Sequence, residues 1–543
     1  MKKIYTMLAT IVLTITAGCN KYLDVNSNPA VPQIVAAEIL LPPIEFQMCN
    51  GTEQDYTRSI SKLTQNMAGV DAQTVATTFW EMHGYPGASD VGGVVWRMVY
   101  FDLGVNLENL IKDAVANQKY EYAGIGYAIK AWAYQIATDE YGPLNVTDAF
   151  TPGQLTYTYQ DQPVVYAKVR EWANLSIKYF NMTSPVNYLP TLQSTTGDGI
   201  YKGDKAKWKK FVYGVLALQY GHLINKPDFV TSYADSVGKY VDLSLASEAE
   251  DASIFFNAAT LVDANPMGPL NAGSSNSGWL NSTTGYGRPT STILGLLTGG
   301  VRGTPAVAPT TSLDPRLSRF LFSGTTAAPT NGIYAAITPT HGSTNNTNIP
   351  TVMGYLPAGA TYYNGKYIFT DKARYPIMTY GQLQFVKSEA AFIKGDKSTA
   401  YTAYLNGINA TFTFYNTYGR TAITPDPAIA TTEINAYMAS SEVAQSSASL
   451  TIADIMQQKY IAQWGWAGTE TWCDLRKYHY SPTVFRTYYQ LTGSEIFSSN
   501  GGKYAYRNRP RYNSEYVWNS TELAKWGGLA ANYNTLEMWF SQP

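Results

Sequence analysis

Charge is scarce in this chain of 543 residues: 15% are Asp, Glu, Lys or Arg, against roughly 25% in ordinary globular domains. What charge there is comes balanced, 39 basic against 40 acidic residues. That balance excludes the basic face through which nucleic-acid binders displace phosphate counterions. Three cysteines are too few for a disulfide scaffold. Past the first twenty residues no apolar run approaches the roughly 20 residues that span a bilayer as a helix. The four histidines, His83, His222, His341 and His479, lie more than a hundred residues apart, so no short-range zinc pair exists. A G-x-S-x-G elbow, a Walker loop and a G-x-G-x-x-G turn are all missing. Gly501-Gly502-Lys503 runs into Tyr504, not the Ser or Thr a phosphate loop needs.

What is present is apolar and aromatic. Apolar residues make up 45% of the chain and aromatics 14%, with 43 Tyr and 12 Trp. The length allows three or four core-sized units or one large fused body.

The first nineteen residues decide the compartment. Lys2 and Lys3 precede an apolar stretch from Ile4 to Ile15, and Thr16-Ala17-Gly18 puts small residues before Cys19, which is the pattern of an export signal. The small residues directly before a cysteine look like a bacterial lipobox, with Cys19 as the acylated residue; ordinary secretory cleavage beside a cysteine is the alternative. Lipidation would leave Cys49 and Cys473 to bond or to stay as buried thiols, and the apolar surroundings of Cys473 favour burial. Loss of residues 1–18 removes two lysines and leaves 37 basic against 40 acidic residues, a mature charge of −3. Each buried acyl methylene contributes about 0.8 kcal/mol, so lipid on Cys19 would anchor the protein without a span. Pro29 and Pro32 make residues 19–36 an extended tether.

Apolar residues three and four apart predict helices over 96–116, 120–138, 163–181, 204–225, 377–394 and 397–413. Thr451-x-x-Asp454 predicts a capping box before another helix. His222 falls on an apolar stripe as a core histidine, and Trp96, Trp172, Trp208 and Trp464 fall to the core. Segments 37–90, 226–376, 415–447 and 481–535, rich in Gly, Ser, Thr, Asn and Pro, read as loops. A helical scaffold carrying elaborate loops results.

A set of motifs then carries a resemblance. Gly18-Cys19-Asn20-Lys21-Tyr22-Leu23-Asp24, Asp139-Glu140-Tyr141-Gly142-Pro143-Leu144 and Lys202-Gly203-Asp204 before Trp208 occur in the order seen in SusD/RagB-type outer-membrane nutrient-binding lipoproteins. Asp314-Pro315-Arg316-Leu317, Tyr375-Pro376-Ile377-Met378-Thr379-Tyr380, Asn406-Gly407-Ile408 and Trp472-x-Asp474-Leu475-Arg476 continue that order. The chain departs at Gln219, where family members often carry Arg, and at Glu470-Thr471, where they often show Glu-Gly. The resemblance implies an all-α fold, tetratricopeptide-like helix pairs forming a right-handed superhelical scaffold, with a loop-rich irregular subdomain. It divides the chain into signal peptide 1–18, tether 19–36, helical region 37–225, loop-rich subdomain 226–376 and closing helix pairs and loops 377–543. It also implies surface exposure at the outer membrane, glycan binding, and delivery to a SusC-like TonB-dependent transporter. No cofactor beyond the lipid on Cys19, no metal and no nucleic acid is expected.

A glycan site needs exposed aromatics beside polar loops, because sugar rings offer C–H faces to Trp and Tyr while hydroxyls seek hydrogen bonds. Trp279 in Gly273-Ser274-Ser275-Asn276-Ser277-Gly278-Trp279, with Tyr286 and Arg288 in the same loop, fits that need; Trp80 and Tyr85 come next. Each could instead plug the protein's own core. A lipid-anchored glycoside hydrolase is the rival class and needs a carboxylate pair about 5–9.5 Å apart, which sequence cannot show. A peptide-binding member of the family and a structural surface protein are further alternatives. Asp474 and Arg476, two residues apart, cannot face one another on a helix and read as structural.

Overall fold

A computed structural model describes residues 35–70, 78–260, 263–271, 280, 287–324, 332–342, 349–354, 365–422 and 425–543. Its longer helices are α1 Ala37–Asp55, α2 Gly104–Ala116, α3 Tyr120–Tyr141, α4 Gln162–Phe180, α5 Lys205–Gly221, α6 Ala234–Leu243, α7 Tyr380–Lys394, α8 Lys397–Tyr418, α9 Thr431–Met438, α10 Ile452–Gln463 and α11 Gly468–Lys477. Several of their starts follow side-chain chemistry. Asp204 accepts from the backbone N–H of Ala206 and Lys207 at 2.9 and 3.1 Å, Asp396 from Thr399 at 3.0 Å, and Thr379 from Gln382 at 3.1 Å. Each satisfies amides that the first turn leaves without a helical partner. Thr451 and Asp454 exchange bonds reciprocally at 2.9 and 3.3 Å, the expected capping box. Gly395, at φ +91°, turns the chain from α7 into α8.

Consecutive helices pack as pairs: α2 on α3, α3 on α4, α4 on α5, α5 on α6, α7 on α8, and α10 against both α7 and α11. The fold is all-α, with tetratricopeptide-like pairs. Small residues set the close approach, for a Cβ on Gly124 of α3 would lie 2.5 Å from the Phe180 ring of α4. The apolar stripes meet in one continuous core that contains Trp96, Trp172, Trp208 and Trp464. Among the described residues strands are short. β1 Met67–Ala68 pairs antiparallel with β3 Arg288–Pro289, and β2 Ala252–Phe255 with β4 Arg374–Met378. The β2–β4 ladder therefore joins the two ends of the segment between α6 and α7.

Four expectations need correction. Segment 37–90 is not all loop: α1 occupies its start, with Ala37, Leu40, Leu41, Ile44 and Met48 buried. Pro42 and Pro43 inside the helix hid that spacing. Within 226–376, α6 buries Ala234, Val237 and Val241, and α9 lies in 415–447. The helix expected over 96–116 is broken. A short helix, Val94–Arg97, passes into a π-helical turn, Met98–Leu103, and Gly104 at φ +27° restarts the α-helix. Cys49 and Cys473 are free, buried thiols.

Candidate ligand-binding groove

Trp80 and Tyr85 do not offer ring faces to solvent. They are 4% and 6% exposed and meet edge to face at 5.2 Å. The Tyr85 hydroxyl donates to the Ser89 carbonyl at 2.8 Å, and the Arg509 guanidinium sits 4.8 Å from its ring. The cause is a strap from the 490s that covers their loop: Phe497 N–H donates to the Met82 carbonyl at 2.9 Å and its ring packs 4.9 Å from Phe79. Arg288 is buried in β3. Trp279, Tyr286 and the lipidation residue Cys19 lie outside the described residues.

A groove of about 530 Å³ opens elsewhere, between the π-helical turn before α2, the 145–159 loop and a second π-helical turn at Tyr512–Tyr516. Trp96 and Tyr100 form its floor, rings 5.0 Å apart and inclined at 53°. The Tyr100 hydroxyl donates to the Asn145 carbonyl at 3.0 Å. Phe101 stands on the rim, 73% exposed. The turn that precedes α2 puts it there, for a π-helical turn re-aims side chains off the core stripe.

Charge in the groove is paired. Arg97 meets Asp102 at 3.0 Å and Arg511 meets Asp90 at 2.9 Å. Burial raises the Asp102 carboxyl above its ordinary value, against the pull of Arg97. Glu515 is the one carboxylate among the described lining residues. Its oxygens accept from Trp96 Nε1 at 3.2 Å, Asn519 Nδ2 at 3.1 Å and the Tyr159 hydroxyl. Burial first, and Glu515 second, push the Tyr159 phenol up, so it stays a donor. A saturated carboxylate is a brace for the floor, whereas glycoside hydrolysis needs two carboxyl groups with room between them. An aromatic floor, an exposed ring and ion pairs with spare hydrogen-bonding capacity suit a polyhydroxylated, uncharged ligand.

A second polar cluster lies in the core. His222 Nε2 is 3.0 Å from Glu470 Oε2 and Nδ1 is 3.4 Å from Asp139 Oδ2. Burial lowers the imidazole's proton affinity, but the two carboxylates outweigh it and raise the group to about 9. Donor atoms of Asp139, His222 and Cys473 fall within 4.8 Å of one another, a spacing that could hold a metal. A protonated imidazole and a thiol that burial pushes up oppose that use, since ligands must be deprotonated. Asp474 accepts from Lys459 and Lys477 at 2.8 and 3.0 Å. Arg476 donates to the Asp139 and Tyr506 carbonyls at 2.6 and 2.9 Å and stacks 4.0 Å from Trp472. Both are structural, as their spacing implies.

The chain matches the model of the SusD-like family, described as "Starch-binding associating with outer membrane", over residues 29–295 and 301–495. The chain belongs to the SusD-like family. Among solved structures, this SusD-like chain resembles a SusD/RagB family protein from Bacteroides thetaiotaomicron at 19% identity and TM-score 0.67, covering 93% of this chain and 99% of the other. A SusD homolog from Bacteroides uniformis gives 16% identity, TM-score 0.67 and the same coverages. A chitin-binding SusD homolog from Flavobacterium johnsoniae gives 18% identity and TM-score 0.59, covering 93% and 96%. No curated protein matches the chain. Among the described residues of this SusD-like protein, no helix is long and apolar enough to cross a membrane.

Proposed function

We propose that this SusD-like protein is a surface-exposed outer-membrane lipoprotein that binds an uncharged oligosaccharide and delivers it to a SusC-like TonB-dependent transporter, without catalysis. The observation that carries the reading is the groove, where exposed Phe101 stands over a Trp96–Tyr100 floor and every formal charge is already paired or saturated. Support comes from the family's description as starch-binding and from neighbours titled as chitin-binding. Residues 1–18 act as signal peptide, Cys19 carries the lipid and residues 19–36 form the tether. Trp279 and Tyr286 stay in the proposal as further aromatic contacts.

Isothermal titration of the soluble form, residues 20–543, against glycans and short peptides tests the reading. Heat from a glycan without released sugars supports capture, and Phe101→Ala should weaken it about tenfold, the loss of one aromatic stacking contact. Released sugars would turn the reading to the hydrolase, and heat from peptides alone to a peptide-binding member. Incorporation of labelled fatty acid that disappears in Cys19→Ser tests the anchor. Co-purification with a TonB-dependent barrel from solubilised outer membrane tests the partner.

A further inference from the structure

Trp518 is 74% exposed, although folding ordinarily covers most of so large an apolar side chain. Its backbone is pinned. The neighbouring Asn519 is buried, accepts from Tyr157 N–H at 3.1 Å, donates to the Tyr157 carbonyl at 3.1 Å and donates to Glu515 Oε2 at 3.1 Å. Asn519 N–H also donates to the Glu515 carbonyl at 3.2 Å. Tyr157 and Glu515 both line the groove. The clasp that closes the groove wall thus also fixes the backbone beside Trp518, and a side chain carried on backbone fixed in advance costs less ordering on binding.

Trp518 lies close to the groove along the chain. Ser514 lines it, and Trp518 follows one helical turn later. Side chains four apart do meet along this segment, because the Tyr512 and Tyr516 rings stack at 5.3 Å and 14°. On the segment that Asn519 holds, Leu155, two residues before Tyr157, is 84% exposed, and Val517 is exposed as well. None of Leu155, Val517, Trp518 and Asn519 carries a charge. An exposed indole one helical turn beyond a groove-lining residue matches the C–H face of a pyranose.

We infer that Trp518 is a separate stacking subsite for the sugar unit that leaves the groove at Ser514, so that the ligand is an uncharged glycan chain longer than the groove itself. This rests on the groove reading above. The probes are maltotriose and maltoheptaose, and chitotriose and chitohexaose, titrated into the soluble form and into Trp518→Ala, with light scattering on both. The long member of one series should bind the wild type about five- to tenfold more tightly than the short one, a gain typical of one aromatic stack. Trp518→Ala should erase that gain while leaving the short member's Kd and the melting temperature unchanged. Equal affinity of variant and wild type for the long chain overturns the inference and leaves the groove standing. Equal losses for short and long chains also overturn it, by making Trp518 part of the groove. A wild-type dimer that becomes monomeric in Trp518→Ala overturns it in favour of a contact between copies. If neither series binds either protein, the groove reading itself fails.

Discussion

The imidazolium of His222 makes stability depend on pH in a direction fixed by geometry. Asp139 and Glu470 face it from α3 and α11, and its proton is held up to about 9, against 6.5 in a free chain. A group whose folded value is raised stabilises fully below its unfolded value and loses that stabilisation as pH climbs through the folded one. The window is therefore pH 6.5 to about 9, and its span amounts to about 3 kcal/mol at about 1.4 kcal/mol per pH unit. Glu53 sits in the same background. Burial pushes it up to about 8, so it too costs stability as pH rises from 4.5. Glu470→Gln separates the two, because it removes one of the imidazole's anions and leaves Glu53 alone. Urea unfolding between pH 6 and 9.5 should show the wild type losing stability more steeply than Glu470→Gln, by about half of that 3 kcal/mol. NMR of histidine-labelled protein, with four histidines to assign, should show one ring still protonated at pH 8. A His222 ring that titrates near 6.5, or parallel unfolding curves, would refute the reasoning.

Arg476→Met should cost about 3 kcal/mol or more in urea unfolding, since it leaves the Asp139 and Tyr506 carbonyls without their buried donor; a change within about 1 kcal/mol contradicts this. Gly124→Ala should destabilise by about 1–2 kcal/mol, because the added carbon meets the Phe180 ring at 2.5 Å and overpacking outweighs the gain in helix propensity. A raised melting temperature would show that Phe180 yields freely. Thr451→Ala should cost about 1 kcal/mol through the lost cap of α10, with Thr451→Ser restoring most of it.

Helices were legible wherever apolar spacing and a cap coincided, as at Asp204 and Thr451. The helix through Pro42 and Pro43 was not, because its burial comes from packing against α2 and α3, which overrides local propensity. His222 was placed in the core, yet its charge could not be read. Gln219, where the resemblance leads one to expect Arg, is neutral, hydrogen-bonding Gln135 at 2.6 Å, and His222 supplies a cation to Asp139 three residues later. Trp96 was correctly buried, but its indole N–H faces Glu515, 419 residues away. Such a groove has no local motif. Trp80 and Tyr85 mislead for the opposite reason: a polar loop sequence says nothing about the strap that covers it. Phe101 and Trp518, both exposed, gave no sequence period of their own.

The Asn519 clasp ties residue 157 to residues 515–519, a separation of 362 positions in the case of Tyr157 and Asn519. During synthesis, a ribosome that has finished the floor has still to make the wall, and hundreds of codons pass in between. The complete groove is accordingly among the last features the nascent polypeptide acquires. A copy clipped or stalled before position 511 would lack Arg511, Ser514 and Glu515, and with them one wall of the groove.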